Sequence, residues 1–444
     1  MARSSPSTGT SGRPSPPASR TAHSPPKADH PVTTSAKPEP ARNPRGLRPL
    51  WAATATSSLG DGVYLAAAPL LAAALTPSPV AVSLVSAATL APWFFVGPFA
   101  GALVDRWPRR TVMIIADVVR AACLLALAVL VITGTNTIAA LAITGFVLTS
   151  GQSFHNAAAQ AIIPNLIGRD RTALAAANSR IATTESVAAG FVGPPIGGAL
   201  FAVAPWLPIA ADAASFASSA ALLRGVPAPP RPEHSGIGIF ASLRQAIAFV
   251  VRHRQILELA LLIAGGNLAT NAAMATFVLY AHHDLGVTSW GYGFLLVAQA
   301  LGATGGGWIA TRMSRRLSFR TMLVCAQLAR AAAFLALAAT NSPYLAGISL
   351  AVIGGSFTIG TVAAVSTRQQ LVPDEMLGRV VNVFRLIGNG AAPIGAALGG
   401  LIAARYALST PIIVGGVLTV AVAGLSLLPK FRRSATEPQQ ATRR

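Results

Sequence analysis

The sequence predicts an all-α polytopic membrane protein, with twelve transmembrane helices arranged as two homologous six-helix bundles. Three observations predict it. Apolar stretches of spanning length recur along the chain, basic residues gather in alternate loops, and the second half repeats the first at an offset of about 210 residues.

Of the 444 residues, 52% are hydrophobic and 11% charged, and the mean hydropathy is +0.56. A soluble globular protein carries roughly 25% charged residues. A helix needs about 20 apolar residues to cross a bilayer core. Runs of that order fall at about 50–75, 80–104, 112–132, 137–163, 174–203, 206–223, 257–280, 291–310, 321–339, 344–366, 380–404 and 411–428. A large soluble helical protein would instead show many amphipathic surface helices, and almost none is present.

Taken in order, residues 1–46 are rich in Pro, Ser and Thr and read as a disordered cytoplasmic tail. They do not read as a signal peptide, since no apolar segment with a cleavage site follows the charged start. Residues 47–223 read as the first six-helix bundle and 224–256 as a cytoplasmic linker. Residues 257–428 read as the second bundle and 429–444 as a basic cytoplasmic tail. Inside the linker, "IFASLRQAIAFVVRHRQI" reads as a basic amphipathic helix lying on the membrane surface. Cys123 and Cys325 fall within helices three and nine, which argues against a disulfide framework or a metal site.

A formal charge of +20 invites a nucleic-acid reading, and its distribution removes that reading. Of the 34 Lys and Arg residues, 29 lie in the tails or in alternate loops. The opposite loops ("TPSP", "TGTN", "AP", "AHHDLGVTSW", "TNSP") hold none, and only Arg405 near the last one breaks the pattern. Positive charge marks the cytoplasmic side, so both termini are expected there and the spans are even in number. Arg outnumbers Lys heavily in an Ala-rich chain, which points to a GC-rich bacterial genome and the inner membrane.

The repeat is explicit. "IADVVRAACLLALA" (115–128) aligns without a gap on "CAQLARAAAFLALA" (325–338), and "PPIGGAL" (194–200) on "APIGAAL" (392–398). Gly101, Arg106, Arg109 and Arg110 recur as Gly307, Arg312, Arg315 and Arg316, with Asp105 replaced by Thr311. Ala and Leu identities arise by chance in such helices, but the charged, Pro and Gly matches do not.

"GALVDRWPRR" (101–110) resembles the signature loop between helices two and three of the major facilitator superfamily, with Pro108 where Gly is usual. "AAGFVGPPIGG" (188–198) is similar to the helix-five signature of its drug/proton antiporter branch, through Gly193, Pro194, Gly197 and Gly198. "SSLGDGVYLAAAPLLAAALTPSP" and "ADVVRA" resemble the branch that contains the enterobactin exporter and macrolide-efflux proteins. The resemblance runs from about 47 to 428 and implies two parallel six-helix halves that alternate access to a central cavity. It also implies that Asp105 meets the N-terminus of helix eleven near Val380 and closes the cytoplasmic side. An acid placed there gains about 0.3–1 kcal/mol. Gly101 is expected to let helix two approach a neighbour closely. Arg106, Arg109 and Arg110 either hold lipid phosphates or acidic partners or only set topology.

Helices one, four, seven and ten line the cavity in this family. On them, Tyr64, Gln152, His155, Asn156, Asn267 and Asn271 are candidate lining residues, the alternative being hydrogen bonds that hold the bundle together. Acids inside spans are costly and so are candidates for function. Asp117 stands one turn before Arg120, and the spacing permits a buried ion pair. Asp212 on helix six has no assigned role. Glu185, just before the helix-five signature, either couples transport to protons or braces the helix. Asp61 is the first candidate for proton exchange. It lies roughly 16 Å along helix one from Leu50, at about 1.5 Å per residue, flanked by Gly60 and Gly62, which are expected to leave room around it.

No P-loop, metal cluster or nucleophile constellation is present, so neither enzyme chemistry nor a cofactor is expected. The expected function is secondary active efflux of an amphipathic small molecule by proton antiport, with cargo, protons and membrane lipids as partners and no nucleic acid. The chain is expected to act as a monomer. A nutrient importer on the same fold and a non-transporting membrane sensor are the alternatives.

Overall fold

A computed structural model describes residues 46–104, 106–168, 170–227 and 239–427. Most spans start where the sequence supplies a cap or a proline. Ser78, Thr137, Asp170, Thr288 and Ser318 each accept a hydrogen bond from a backbone N–H of the first turn they precede. Pro79, Pro208 and Pro343 sit in first turns, where the missing N–H costs nothing.

The helices of the first half are α1 (Leu47–Leu75), α2 (Pro79–Leu90), α3 (Pro92–Phe95), α4 (Gly97–Val104), α5 (Arg109–Ile132), α6 (Ile138–Ile167), α7 (Arg171–Glu185), α8 (Gly193–Val203) and α9 (Leu207–Leu223). A helix α10 (Ile239–Arg252) connects to the second half. There follow α11 (Arg254–Met274), α12 (Phe277–His283), α13 (Ser289–Met313), α14 (Phe319–Ala339), α15 (Pro343–Leu371), α16 (Asp374–Arg405) and α17 (Thr410–Leu427). The second span is broken into α2, α3 and α4 around Pro92. The fifth passes from α7 through a π-helical stretch, Ser186–Val192, into α8, a wider turn that lets the helix absorb Pro194 and Pro195.

Among the described residues, eight helical segments are long and apolar enough to cross a membrane, and three shorter apolar ones are Pro79–Phe95, Leu207–Leu223 and Thr410–Gly424. The 30-residue α6 completes twelve. Leu125, Val129, Ile132 and Ile143 are more than half exposed on the outer surface, as lipid-facing side chains are.

The repeat in sequence is a repeat in packing. In the first half the first span packs on the fifth and sixth, the third on the fourth and sixth, and the second on the fourth. The second half makes the same pairings through α11, α16, α17, α14, α15 and α13. The halves touch mainly through α2 with α16 and α8 with α13, and more lightly through α3 with α16 and α1 with α12. Consecutive spans alternate in direction, so α2, α8 and α12 all lie at the end of the bundle remote from Leu47. There the backbones approach closely. A Cβ on Gly293 would come within 2.5 Å of the Pro194 carbonyl, and Ser86 Oγ donates to the Ala275 carbonyl at 3.5 Å. Toward the end where α1 begins, the contact between the halves is slight and runs through α4 and α16.

Two sequence expectations change here. A Cβ on Gly101 would meet nothing within 4 Å, so α4 makes no close approach at that glycine. The amphipathic α10 does not offer its whole apolar face to a membrane: Ala246 and Val250 are buried against Ile256 of α11 and Val380 and Val383 of α16. Ile247 and Val251 remain exposed. The two tails and Asp105 lie outside the described residues.

Candidate functional site

Helical spacing puts Asp117 and Arg120 on one buried face of α5. The packing of α5 and α1 against α9, and of α5 against α6, then surrounds that face with polar groups from three other helices. Arg120 is the hub. Its Nη2 lies 2.5 Å from Asp61 Oδ1 on α1, and its Nη1 3.9 Å from Asp117 Oδ1. Phe216 of α9 lies under the guanidinium, 3.6 Å from its Cζ to the ring centre. A Cβ on Gly151 of α6 would come within 2.8 Å of Arg120 Cγ and Cδ, so glycine makes room for the side chain.

Asp117 is fully buried, accepts a 2.6 Å hydrogen bond from Ser219 Oγ and lies 2.9 Å from His155 Nδ1. Asp212 is also fully buried. Its Oδ1 accepts from Ser215 Oγ at 3.1 Å and its Oδ2 has no partner. A Cβ on Gly60 would collide with the side chains of Ser215 and Asp212, so glycine brings α1 against α9 and Asp61 near Asp212. The cluster thus holds three carboxylates and one guanidinium. Asp117 and Asp212 are sealed, whereas the Asp61 side chain keeps 26% of its surface open. Of the three carboxylates, Asp61 is thus the one that is both ion-paired and part-exposed.

Several expectations are redrawn by this geometry. Spacing along the chain pairs Arg120 with Asp117 and leaves Asp61 without a cation. In the fold the long guanidinium reaches past its own helix to Asp61, and Asp117 is held mainly by His155 and Ser219. His155, expected in the cavity, is 6% exposed and lies in this core. Gly60 and Gly62 do not leave space around Asp61. The room at Gly60 goes to α9, and a Cβ on Gly62 would lie 2.7 Å from the Ala189 backbone.

The other candidates are scattered. Tyr64 is buried and its hydroxyl has no partner. Gln152 and Asn156 are half-buried on α6. Glu185 is exposed at the end of α7, near enough to Asp61 and His155 to act on them electrostatically. Arg106 is exposed and Arg110 half-buried, while Arg109 Nη1 donates to the Ala161 carbonyl at 2.8 Å. The helix-five signature is a packing device. A Cβ on Gly193 would lie 2.5 Å from Gly62 Cα, Gly197 faces the Val63 carbonyl, and Gly198 faces Ser289 across the two halves.

The second half holds a cavity of about 230 Å³ between α11, α14, α15 and α16. Asn267 lines it and donates to the Gly388 carbonyl at 3.0 Å, while Asn271 donates to the Asn267 carbonyl of its own helix at 2.8 Å. Arg330, the repeat mate of Arg120, lines it with Gln327, whose side chain it hydrogen-bonds. Arg368, counted in the sequence as a loop charge, lines the cavity from the last turn of α15 and lies 5.2 Å over Phe384. Sequence reasoning left Asp212 unassigned and missed Ser215 and Ser219. The signal was present, since 212, 215, 216 and 219 form one stripe at helical spacing.

A family model described as transmembrane secretion effector matches residues 39–444. The chain belongs to this family of major facilitator transporters. The multidrug efflux pump Tap of Mycolicibacterium fortuitum is 27% identical over 401 residues, 86% of this major facilitator chain and 95% of Tap. The uncharacterised transporter YfiS of Bacillus subtilis is 40% identical over 81 residues, 18% of the chain and 19% of that protein. Among solved structures, the nucleoside transporter NupG superposes with a TM-score of 0.71 at 14% identity, over 86% of this chain and 98% of its own. A bacterial homologue of the iron transporter ferroportin in its inward-facing state gives 0.67 at 17%, over 85% and 98%. At such identities the likeness is one of fold. It agrees with two six-helix halves that meet at one end.

Proposed function

We propose that this transporter is a proton-coupled exporter of amphipathic small molecules such as a drug, a siderophore or a secondary metabolite. It works as a monomer in the bacterial cytoplasmic membrane with both termini inside. The observation that carries the reading is the Asp61–Arg120 pair: an ion pair in the middle of a span, in which the acid is part-exposed and the guanidinium is sealed. The similarity to Tap over most of both chains supports the direction of transport and the breadth of cargo.

The basic loops mark the end where α1 begins as cytoplasmic, so contact between the halves concentrated at the opposite end describes an inward-facing state. With Asp61 ionised, Arg120 ties α1 to α5. A proton on Asp61 removes the charge that holds Arg120, and Asp117 and Asp212 remain as alternative partners for it. Released from α5, α1 can move on α8, which it touches at Gly62 and Val63. That same helix carries Gly198 against Ser289 of the other half. The proton site and the contact between halves are therefore linked through α1 and α8, as alternating access requires.

The test uses purified protein and inverted vesicles. Addition of cargo releases protons from the wild type and not from Asp61→Asn, and the variant loses uphill, pH-driven efflux while it still binds cargo. Undiminished proton release from Asp61→Asn moves the coupling site elsewhere, with Glu185 next.

A further inference from the structure

We infer that the cavity of the second half is a site for an organic anion, an oxyanion carried on an apolar or aromatic body. Arg330 is 6% exposed, its hydrogen bond goes to the neutral Gln327, and its Nε has no partner. Arg368 Nε is likewise buried without a partner, and Arg385 lines the same cavity close enough to act on Arg368 electrostatically. None of the lining residues is acidic, and none of these three arginines makes a salt bridge among the described residues.

Cations at this depth need a counter-charge. The first half supplies one: Asp61 and Asp117 surround Arg120. At the matching positions the second half has Asn267, 206 residues on, and Gln327, 210 residues on. The repeat has kept the guanidinium, replaced both carboxylates by amides and left a cavity beside it. An oxyanion from outside the chain completes that arrangement, since guanidinium groups present paired donors that match a carboxylate or sulfonate. Leu262, Ile263, Leu323, Phe357 and Phe384 give the cavity an apolar side. At about 230 Å³ the cavity is below the roughly 300–1,000 Å³ of a whole drug site, so it suits the charged end of a larger amphiphile.

Two sources share this chemistry, an acidic cargo and the headgroup of an anionic lipid. The inference names the cargo class of the exporter proposed above and rests on that reading only for transport, because binding needs no gradient. A failure here leaves the proton-release test of Asp61 standing, and the reverse also holds.

The experiment is calorimetric titration of the full chain in phosphatidylcholine nanodiscs, with 1-naphthoate and its uncharged analogue 1-naphthalenemethanol as probes. Naphthoate should bind at least about tenfold more tightly than the alcohol, and Arg368→Gln and Arg385→Gln should each remove about that factor, the worth of one charge-assisted contact. Arg385 is exposed to the cavity, so its replacement keeps the fold even where an Arg330→Gln variant does not. Discs that contain phosphatidylglycerol separate the sources. Competition with naphthoate assigns the site to lipid headgroups, and an unchanged affinity assigns it to free anions; either outcome keeps an anion site. Equal affinity for acid and alcohol, or naphthoate binding untouched by both substitutions, overturns the proposal.

Discussion

Arg120 of α5 and Asp61 of α1, 59 residues apart in sequence, form a 2.5 Å ion pair at the centre of the first half. The pair ranks above the 3.9 Å contact between Arg120 and Asp117, and it converts two single candidates into one unit. Breaking a buried pair from one side strands the other charge, which typically costs about 3–5 kcal/mol.

Arg120→Ala should therefore melt far below the wild type in detergent, because three carboxylates lose their shared cation. Adding Asp61→Asn should recover more of that loss than adding Asp117→Asn, whose carboxylate keeps Ser219 and His155. A double-mutant cycle measures this directly. Stronger coupling to Asp117 than to Asp61 would contradict the geometry.

Tyr64 carries a buried hydroxyl with no partner. Tyr64→Phe removes an unsatisfied group and should leave melting unchanged or raise it by about 1 kcal/mol. If transport is lost while the melting point holds, the hydroxyl acts in another state of the cycle, as a cavity-lining residue would.

Gly193→Ala places a methyl 2.5 Å from Gly62 Cα, where only backbone can yield. A loss of about 1–3 kcal/mol is expected. Gly101→Ala meets open space and should melt like the wild type. Equal melting of the two variants would sink the packing account of the helix-five signature.

The loop after α4 is proposed to latch the other state. Gly101→Leu and Asp105→Asn should both insert and melt normally yet slow transport several-fold, with greater thiol accessibility at the cytoplasmic end. Normal transport in both would show that the loop serves topology alone.

How much was legible follows from what each feature depends on. Spans and the two-fold repeat depend on run length and self-similarity, which are properties of a line of residues. The sequence by itself therefore determined an all-α chain of twelve spans in two like halves, and it singled out the intramembrane acids Asp61, Asp117, Glu185 and Asp212 as candidates for function, with Arg120 as a charge in need of a partner. Only the tertiary structure decided who meets whom. Spacing of i,i+3 offers Arg120 the acid on its own helix, but α9 packs between α1 and α5 and presents Phe216, Ser219 and Asp212, and a guanidinium long enough to cross that gap takes Asp61. The same holds for Arg368. Read along the chain it is a loop charge, and only the crossing of α11, α14, α15 and α16 turns it toward a cavity, because a helix end has no inside until its neighbours are in place.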